Sequence, residues 1–442
     1  MTIDESANAS PGGSSAGEHA SAEESSRKLR VGMAWNLVPV VVLGVVGLGL
    51  NFAIGRWWGT SALGIFNQVT TAYFVLGSIG AIGLNLSALR AVAQKPDDKA
   101  RVAAIVVGAL VPAVTLAAAV TLLLASGRFA IAGWLDSDAV AEGIVYAAPG
   151  LACFVVNKLL MAIVNGLGRM RALAIYTTLR YTMIGVSLAL CGILDLEAIQ
   201  LPIIWSITEG TLLVVLSVET LSTVRFSQAA GWRSWIPEHI RFGIRGAGAT
   251  LLFEINSRLD IWLLGAAMSD TDVGIYSMAA SLAEGVSQLA VALQVNVNPR
   301  IAASLALHRP VEIEELARRA RRWFVPGMVG VCGLAAALFP IMIPLITGNP
   351  DFATGAVPFA ILMAGLAVAS AWLPFNQILL MGGKPGYHTI YILMVVATNV
   401  VLNLLLIPRF GMVGTGLATA ISLAGSGLWL MRMSRSLLGV RI

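Results

Sequence analysis

Eight ionisable residues interrupt long apolar stretches and are the side chains best suited to chemistry: Lys158, Arg180, Glu209, Glu219, Glu254, Arg258, Asp260 and Glu284. A charge at the centre of a bilayer costs about 2.5–3.5 kcal/mol on insertion scales, so such residues usually mark a pathway for a substrate or an ion. Lysine and arginine could capture an anionic group there, and arginine can grip a phosphate through two parallel hydrogen bonds. Glutamates could neutralise those cations or carry a coupling proton.

Lys158 and Arg180 are predicted to lie at similar depth, in the inner halves of neighbouring spans. Both are therefore candidate substrate-binding residues for a cargo that arrives from the cytoplasm with a negatively charged headgroup. The alternative is that Lys158 snorkels to the inner headgroups and that Arg180 pairs with a glutamate.

Glu254 and Arg258 are spaced i,i+4, with the glutamate first, which is the favourable order for a pair on one helix face. Arg258 is either part of such an internal pair or faces the cavity as a second phosphate or sugar contact, which makes it a further candidate substrate-binding residue. Glu209 and Glu284 are predicted near mid-membrane, as counter-ions or coupling groups. The two remaining acids lie nearer the span ends, where Asp260 caps a helix or faces water and Glu219 pairs with Arg225.

The elements that position these residues must be membrane-spanning helices. The chain has 442 residues, of which 57% are hydrophobic and 12% are charged, whereas soluble domains carry about 25% charged residues. Because a span needs about 20 predominantly apolar residues, twelve are predicted, at 32–55, 62–88, 102–125, 140–165, 172–194, 198–221, 242–267, 273–298, 323–347, 354–380, 387–407 and 412–431.

The distribution of basic residues orients the spans. Lys and Arg concentrate on alternate loops, which the positive-inside rule places in the cytoplasm together with both termini. This pattern also explains the net charge of +5, so no nucleic acid partner is inferred. The predicted organisation is a disordered tail (1–30), an N-lobe of six helices (31–222), a cytoplasmic linker (223–241), a C-lobe of six helices (242–435) and a cytoplasmic end (436–442).

The two predicted lobes resemble each other. Gly64-Ile65-Phe66 aligns with Gly274-Ile275-Tyr276, and Arg90 aligns with Arg300 at the same topological position. Six spans per half keep the same orientation, so the lobes should be related by a pseudo-two-fold axis along the membrane normal, with a cavity between them.

Several short motifs resemble those of polysaccharide repeat-unit flippases, which belong to the multidrug/oligosaccharidyl-lipid/polysaccharide exporter superfamily. The motifs are Asn256-Ser257-Arg258-Leu259-Asp260, Gly274-Ile275-Tyr276-Ser277, Gly382-Gly383-Lys384 and Pro408-Arg409-Phe410-Gly411. The resemblance covers roughly residues 30 to 435. It implies an all-α integral membrane protein whose twelve transmembrane helices form two lobes around a V-shaped cavity.

The resemblance also implies a function. The chain would flip an undecaprenyl-diphosphate-linked oligosaccharide to the outer leaflet of a bacterial inner membrane by alternating access, for cell-surface polysaccharides such as lipopolysaccharide or exopolysaccharide. Its partners would be that lipid-linked substrate and the bilayer, with polysaccharide polymerase and glycosyltransferases as further candidates. No enzymatic activity, cofactor or metal is expected.

Two rival functions remain open. A multidrug cation antiporter of the same superfamily typically has an acid in its first span, but residues 31–55 contain none. A polytopic glycosyltransferase or polymerase acting on lipid-linked sugars could use the D-x-D patterns at Asp136 and Asp270, although acids are ordinary caps at helix starts. The chain carries no P-loop, so it has no ATPase site of that type.

Overall fold

The computed structural model describes residue 42 and residues 44–441. The predicted tail and the first part of the first span lie outside these residues. The described helices are α1 (44–57), α2 (Gly59–Ala81), α3 (Leu84–Gln94), α4 (Lys99–Leu135), α5 (Asp138–Gly166), α6 (Met170–Ile193), α7 (Ile203–Thr223), α8 (Trp235–Asn256), α9 (Leu259–Gly265), α10 (Asp270–Ala306), α11 (Pro310–Thr347), α12 (Ala356–Ala369), α13 (Ile378–Met381) and α14 (Pro385–Leu438). No strand occurs among the described residues.

Nine helical segments in the described part of the chain are long and apolar enough to cross a membrane. The longest, α14, contains both of the last two predicted spans and is kinked between them at Gly411, whose backbone is non-helical (φ 53°, ψ −131°). The prediction of an all-α integral membrane fold is therefore confirmed.

Three predicted spans are broken rather than continuous. The second divides into α2 and α3 at Ile82 and Gly83, which both have positive φ. The seventh divides into α8 and α9 at Ser257 and Arg258, and the tenth divides into α12 and α13. Discontinuous helices in transporters occur where the backbone lines a cavity or a binding site.

The pseudo-two-fold axis is visible where α2 meets α10. A Cβ atom added to Gly64 would collide with the carbonyl oxygen of Asp270, and one added to Gly274 would collide with that of Thr60. The contact is reciprocal in sequence, because Thr60 and Asp270 are four residues before Gly64 and Gly274, respectively. Such self-complementary contact is what two-fold symmetry produces.

The hydrophobic core joins the two halves toward the predicted outer end, whereas toward the predicted inner end each half has a cluster of its own. One cluster of buried residues combines N-terminal side chains such as Phe66 and Leu151 with C-terminal ones such as Ile275 and Phe359. A second cluster contains only residues of the N-terminal half, and a third only residues of the C-terminal half. This arrangement is the predicted V, here closed at the outer end.

The predicted inner end of α8 packs against the N-terminal half. The buried His239 accepts or donates a hydrogen bond at Nδ1 with the Ser87 hydroxyl (2.8 Å), and its Nε2 lies 3.3 Å from the carbonyl oxygen of Ile105. Gly83 and Gly243 approach so closely that neither leaves room for a Cβ atom. Burial lowers the pKa of His239 from its ordinary value, against the opposing influence of the Ile105 hydrogen bond.

Candidate functional site

Three neighbouring helices of the N-terminal half bring Arg180, Glu209 and Asn157 together. The Nε and Nη2 atoms of Arg180 both lie 2.6 Å from the same oxygen, Oε1 of Glu209. The amide of Asn157 donates to the other carboxylate oxygen (2.8 Å) and to the Glu209 carbonyl (2.9 Å). Arg180 therefore has the glutamate partner that was one of its two predicted alternatives.

The guanidinium of Arg180 is not fully used by this pair. Its Nη2 atom is buried and has no hydrogen bond of acceptable geometry, although it lies close to the Glu209 oxygen. The Glu209 side chain is only 2% exposed, whereas that of Arg180 is 17% exposed. The Arg180 side chain is therefore the more accessible member of the pair.

Lys158 and Arg180 both lie against the ring of Phe154, one turn before Lys158 on α5. The Lys158 Nζ is 5.6 Å from the ring centroid and the Arg180 Cζ is 4.9 Å from it. Within the described part of the chain, Lys158 forms no salt bridge.

Arg258 joins the same group from the C-terminal half. Its Cζ lies 4.3 Å from the ring centroid of Phe74 on α2, and its Nε donates to Glu254 at 3.0 Å. The Phe74 and Phe154 rings contact each other edge to face, with centroids 5.5 Å apart and planes at 83°. The structure therefore gathers all three predicted substrate-binding cations around two phenylalanine rings.

Close helix packing holds these rings in place. A Cβ atom on Gly77 would stand 2.7 Å from two ring atoms of Phe154, so α2 presses directly on that ring. Tyr73 packs against Phe154 and stacks on Trp205, and its hydroxyl donates to the Gly150 carbonyl at 3.0 Å. These aromatic residues were not identified from the sequence, because an aromatic residue in an apolar span gives no sign of which face it occupies.

The remaining acids are placed differently from one another. Glu284 is exposed on α10, and its carboxylate hydrogen-bonds to no described residue. Asp260 is buried and accepts hydrogen bonds from the Tyr276 hydroxyl (2.8 Å) and the Ile261 amide (3.0 Å). The expectation that Asp260 faces water is wrong, because Tyr276 packs over it.

One predicted ion pair is wrong. Glu219 pairs with Arg169, not with Arg225, and the same Arg169 nitrogen donates to Thr223 at 2.9 Å. This network joins the start of α6 to the end of α7.

No group of three or more His, Cys, Asp or Glu residues that could hold a metal occurs among the described residues.

Comparison with known proteins assigns the family. The sequence model of the family described as "Polysaccharide biosynthesis protein" matches residues 30–304. The chain belongs to this family. A search of curated proteins finds no match for the chain.

Solved structures share the fold of this chain. The lipid II flippase MurJ in an inward closed conformation is 12% identical, with a TM-score of 0.74 over 91% of this chain and 87% of MurJ. An inward-facing multidrug resistance MATE transporter of the MOP superfamily is 13% identical, with a TM-score of 0.70 over 92% of this chain and 99% of the transporter. An outward-facing multidrug resistance MATE transporter is 13% identical, with a TM-score of 0.53 over 91% of this chain and 93% of the transporter. The fold is therefore one used by transporters rather than enzymes.

Proposed function

We propose that this protein flips an undecaprenyl-diphosphate-linked oligosaccharide from the cytoplasmic to the outer leaflet of a bacterial inner membrane. The observation that carries the proposal is the cluster formed by Lys158, Arg180 and Arg258. Two carboxylates, Glu209 and Glu254, form ion pairs with the two arginines, so the cluster keeps an excess positive charge.

A diphosphate headgroup fits this arrangement. It carries negative charge on oxygens that accept hydrogen bonds from guanidinium and ammonium groups, and such charge-assisted bonds are the stronger ones. The ammonium of Lys158 is a donor that no described carboxylate occupies. A cationic drug would be repelled by the same groups, which disfavours the antiporter alternative.

The proposed movement is alternating access between an N-lobe (31–222) and a C-lobe (242–435), joined by the linker 223–241. The shared core at the outer end and the separate cores at the inner end favour a cargo entrance from the cytoplasm. In this proposal Glu209 and Glu254 act as counter-ions, and the exposed Glu284 is a candidate coupling group.

The test uses proteoliposomes that contain a fluorescent undecaprenyl-diphosphate oligosaccharide and a membrane-impermeant quencher, which reports the fraction of cargo in each leaflet. Lys158→Ala and Arg180→Ala are each expected to slow flipping by about 10-fold or more, because a hydrogen bond to a charged group contributes about 1.5–3 kcal/mol. Lys384→Ala, which removes an exposed lysine outside the spans, is the matched control.

A second variant guards against misfolding. Replacing Arg180 alone leaves the buried Glu209 without its partner, so Arg180→Met combined with Glu209→Gln removes both charges together. Normal flipping by Lys158→Ala/Arg180→Ala, with normal insertion, would contradict the proposed site. Sugar transfer from a lipid donor by the purified protein would contradict the transport function itself.

A further inference from the structure

The cation cluster rests on aromatic faces more than on carboxylates. Three cations share two acidic partners, while each cation lies over a phenylalanine ring: Lys158 and Arg180 over Phe154, and Arg258 over Phe74. A ring face attracts a cation through its quadrupole but carries no net charge. The rings can therefore hold the cations in place without cancelling the charge that a diphosphate would bind.

We propose that Phe74 and Phe154 are positioning residues that hold the three cations in register for the diphosphate. The proposal deepens the function proposed above and rests on it. The rings do not touch the cargo's phosphates; they fix the cations that do.

The rings are suited to this role because they cannot turn freely. Phe154 is 5% exposed and is wedged between Gly77 on one side and the rings of Tyr73 and Phe74 on others. Phe74 is additionally in edge-to-face contact with Trp205, at 5.1 Å between centroids. Because the Phe74 and Phe154 rings are fixed, the lysine and arginine side chains that contact them stay ordered even when no ligand is bound.

The contacts between the cations and the two rings involve both halves of the protein. Phe74 and Phe154 belong to α2 and α5, whereas Arg258 comes from the break between α8 and α9. The contact between Arg258 and Phe74 therefore joins the two halves in the arrangement seen here. All three cations are expected to face the cargo together in this conformation, and to separate when the inner end closes.

Binding of undecaprenyl diphosphate without sugar, measured in nanodiscs, tests the positioning role. Phe154 is replaced by phenylalanine analogues with one, two and three ring fluorines, which keep the shape of the ring and progressively weaken its negative face. The affinity is expected to fall stepwise, reaching about 10-fold for the trifluoro ring, which corresponds to about 1.4 kcal/mol. Phe154→Leu is expected to lose at least as much, and Phe154→Tyr to retain most of the binding.

Phe66 supplies the matched control. It lies in the same aromatic group, stacked on Trp205 at 5.9 Å, and no described cation lies over its ring. Fluorination of Phe66 should leave the affinity unchanged. The same series at Phe74 should weaken binding, because that ring holds Arg258.

The outcomes separate the two proposals. If fluorination of Phe154 and Phe74 leaves the affinity unchanged while Arg180→Ala still abolishes binding, the positioning role is overturned and the flippase function stands. An equal decline at Phe66 would overturn it too, since the effect would then be one of packing. Failure of the unmodified protein to bind undecaprenyl diphosphate would overturn both proposals.

Discussion

The contact between α2 and α10 should lock the outer end of the protein, and a single methyl group should unlock it. Gly64 and Gly274 sit at this contact, each against a backbone carbonyl of the other helix. To fit alanine at either position, the helices must separate by about 1.2 Å or more, because an added Cβ would stand 1.8 or 1.9 Å from the carbonyl oxygen. Alanine is otherwise favoured over glycine within a helix, by about 0.8–1.0 kcal/mol.

That separation would break the hydrogen bonds that accompany the contact. The amide of the buried Gln68 donates to Asp270 at 2.6 Å, and the Ser137 hydroxyl donates to the other Asp270 oxygen at 2.8 Å. An extra 1 Å or so takes both beyond hydrogen-bonding distance. At about 1.5–3 kcal/mol for each bond to a charged group, less the helix gain, Gly274→Ala should favour outer opening by about 2 kcal/mol or more.

The assay is chemical labelling from the predicted outer side. Thr60→Cys, in a background without Cys153, Cys191 and Cys332, places a thiol at a position that is 6% exposed. A membrane-impermeant maleimide should label it slowly, and at least 10-fold faster once Gly274→Ala is added, since 1.4 kcal/mol is a factor of ten.

Gly285→Ala is the control for this experiment. It lies on the same helix, α10, where the nearest atom to an added Cβ is 3.8 Å away on Leu48. This change should leave labelling unaltered and the helix unharmed. Equal labelling of Thr60→Cys with Gly274→Ala and with Gly285→Ala would refute the reasoning, because the outer contact would then not be tight.

Three further changes test buried groups. Glu209→Gln should lower the stability of the protein by about 3–5 kcal/mol in chemical or thermal unfolding, because it leaves Arg180 charged and without a counter-ion. Tyr276→Phe should cost about 1–3 kcal/mol, because Asp260 loses a hydrogen-bond donor. Burial lowers the pKa of His239 from its ordinary value of 6.5, so the folded protein favours the neutral form of this side chain. Stability should therefore be constant above pH 6.5 and fall as the pH drops below it, and His239→Gln should flatten that decline.

Each of these changes has a counterpart at a less buried site. Glu219→Gln breaks a pair whose arginine is 43% exposed, so it should cost less than about 1 kcal/mol. Tyr387→Phe and His308→Gln alter exposed side chains and should change neither stability nor its pH dependence. Comparable losses in variant and control would contradict the assignment of burial as the cause.

The all-α membrane fold could be predicted because lipid imposes apolar spans on the composition. A helix in a bilayer needs an uninterrupted apolar stretch, and hydropathy reports such a stretch directly. The breaks at Ile82, at Ser257 and after Ala369 could not be predicted in the same way. They leave the apolar composition unchanged, and the backbone amides of Ile82, Arg258 and Ser370 still donate to carbonyls of the preceding turn.

The candidate cations could be found because a charge within an apolar span is rare, but their surroundings could not. Lys158 and Arg180 were expected at similar depth, and the structure shows them on one ring. Nothing in the sequence distinguishes Phe154, which supports these cations, from Phe66, which supports none. That distinction depends on which helix faces meet, and helices surrounded by lipid have no polar side to reveal it.

The glycines at the pseudo-two-fold axis show why one part of the repeat could be read so clearly. A residue on such an axis meets its own counterpart, so a larger side chain in either half would disturb the same contact. Gly64-Ile65-Phe66 and Gly274-Ile275-Tyr276 lie there, and their glycines meet each other's helices. The cation cluster lies away from that contact and draws on unlike residues of the two halves. The matching glycines Gly64 and Gly274 therefore close the predicted outer end, whereas residues that differ between the halves form the candidate cargo site.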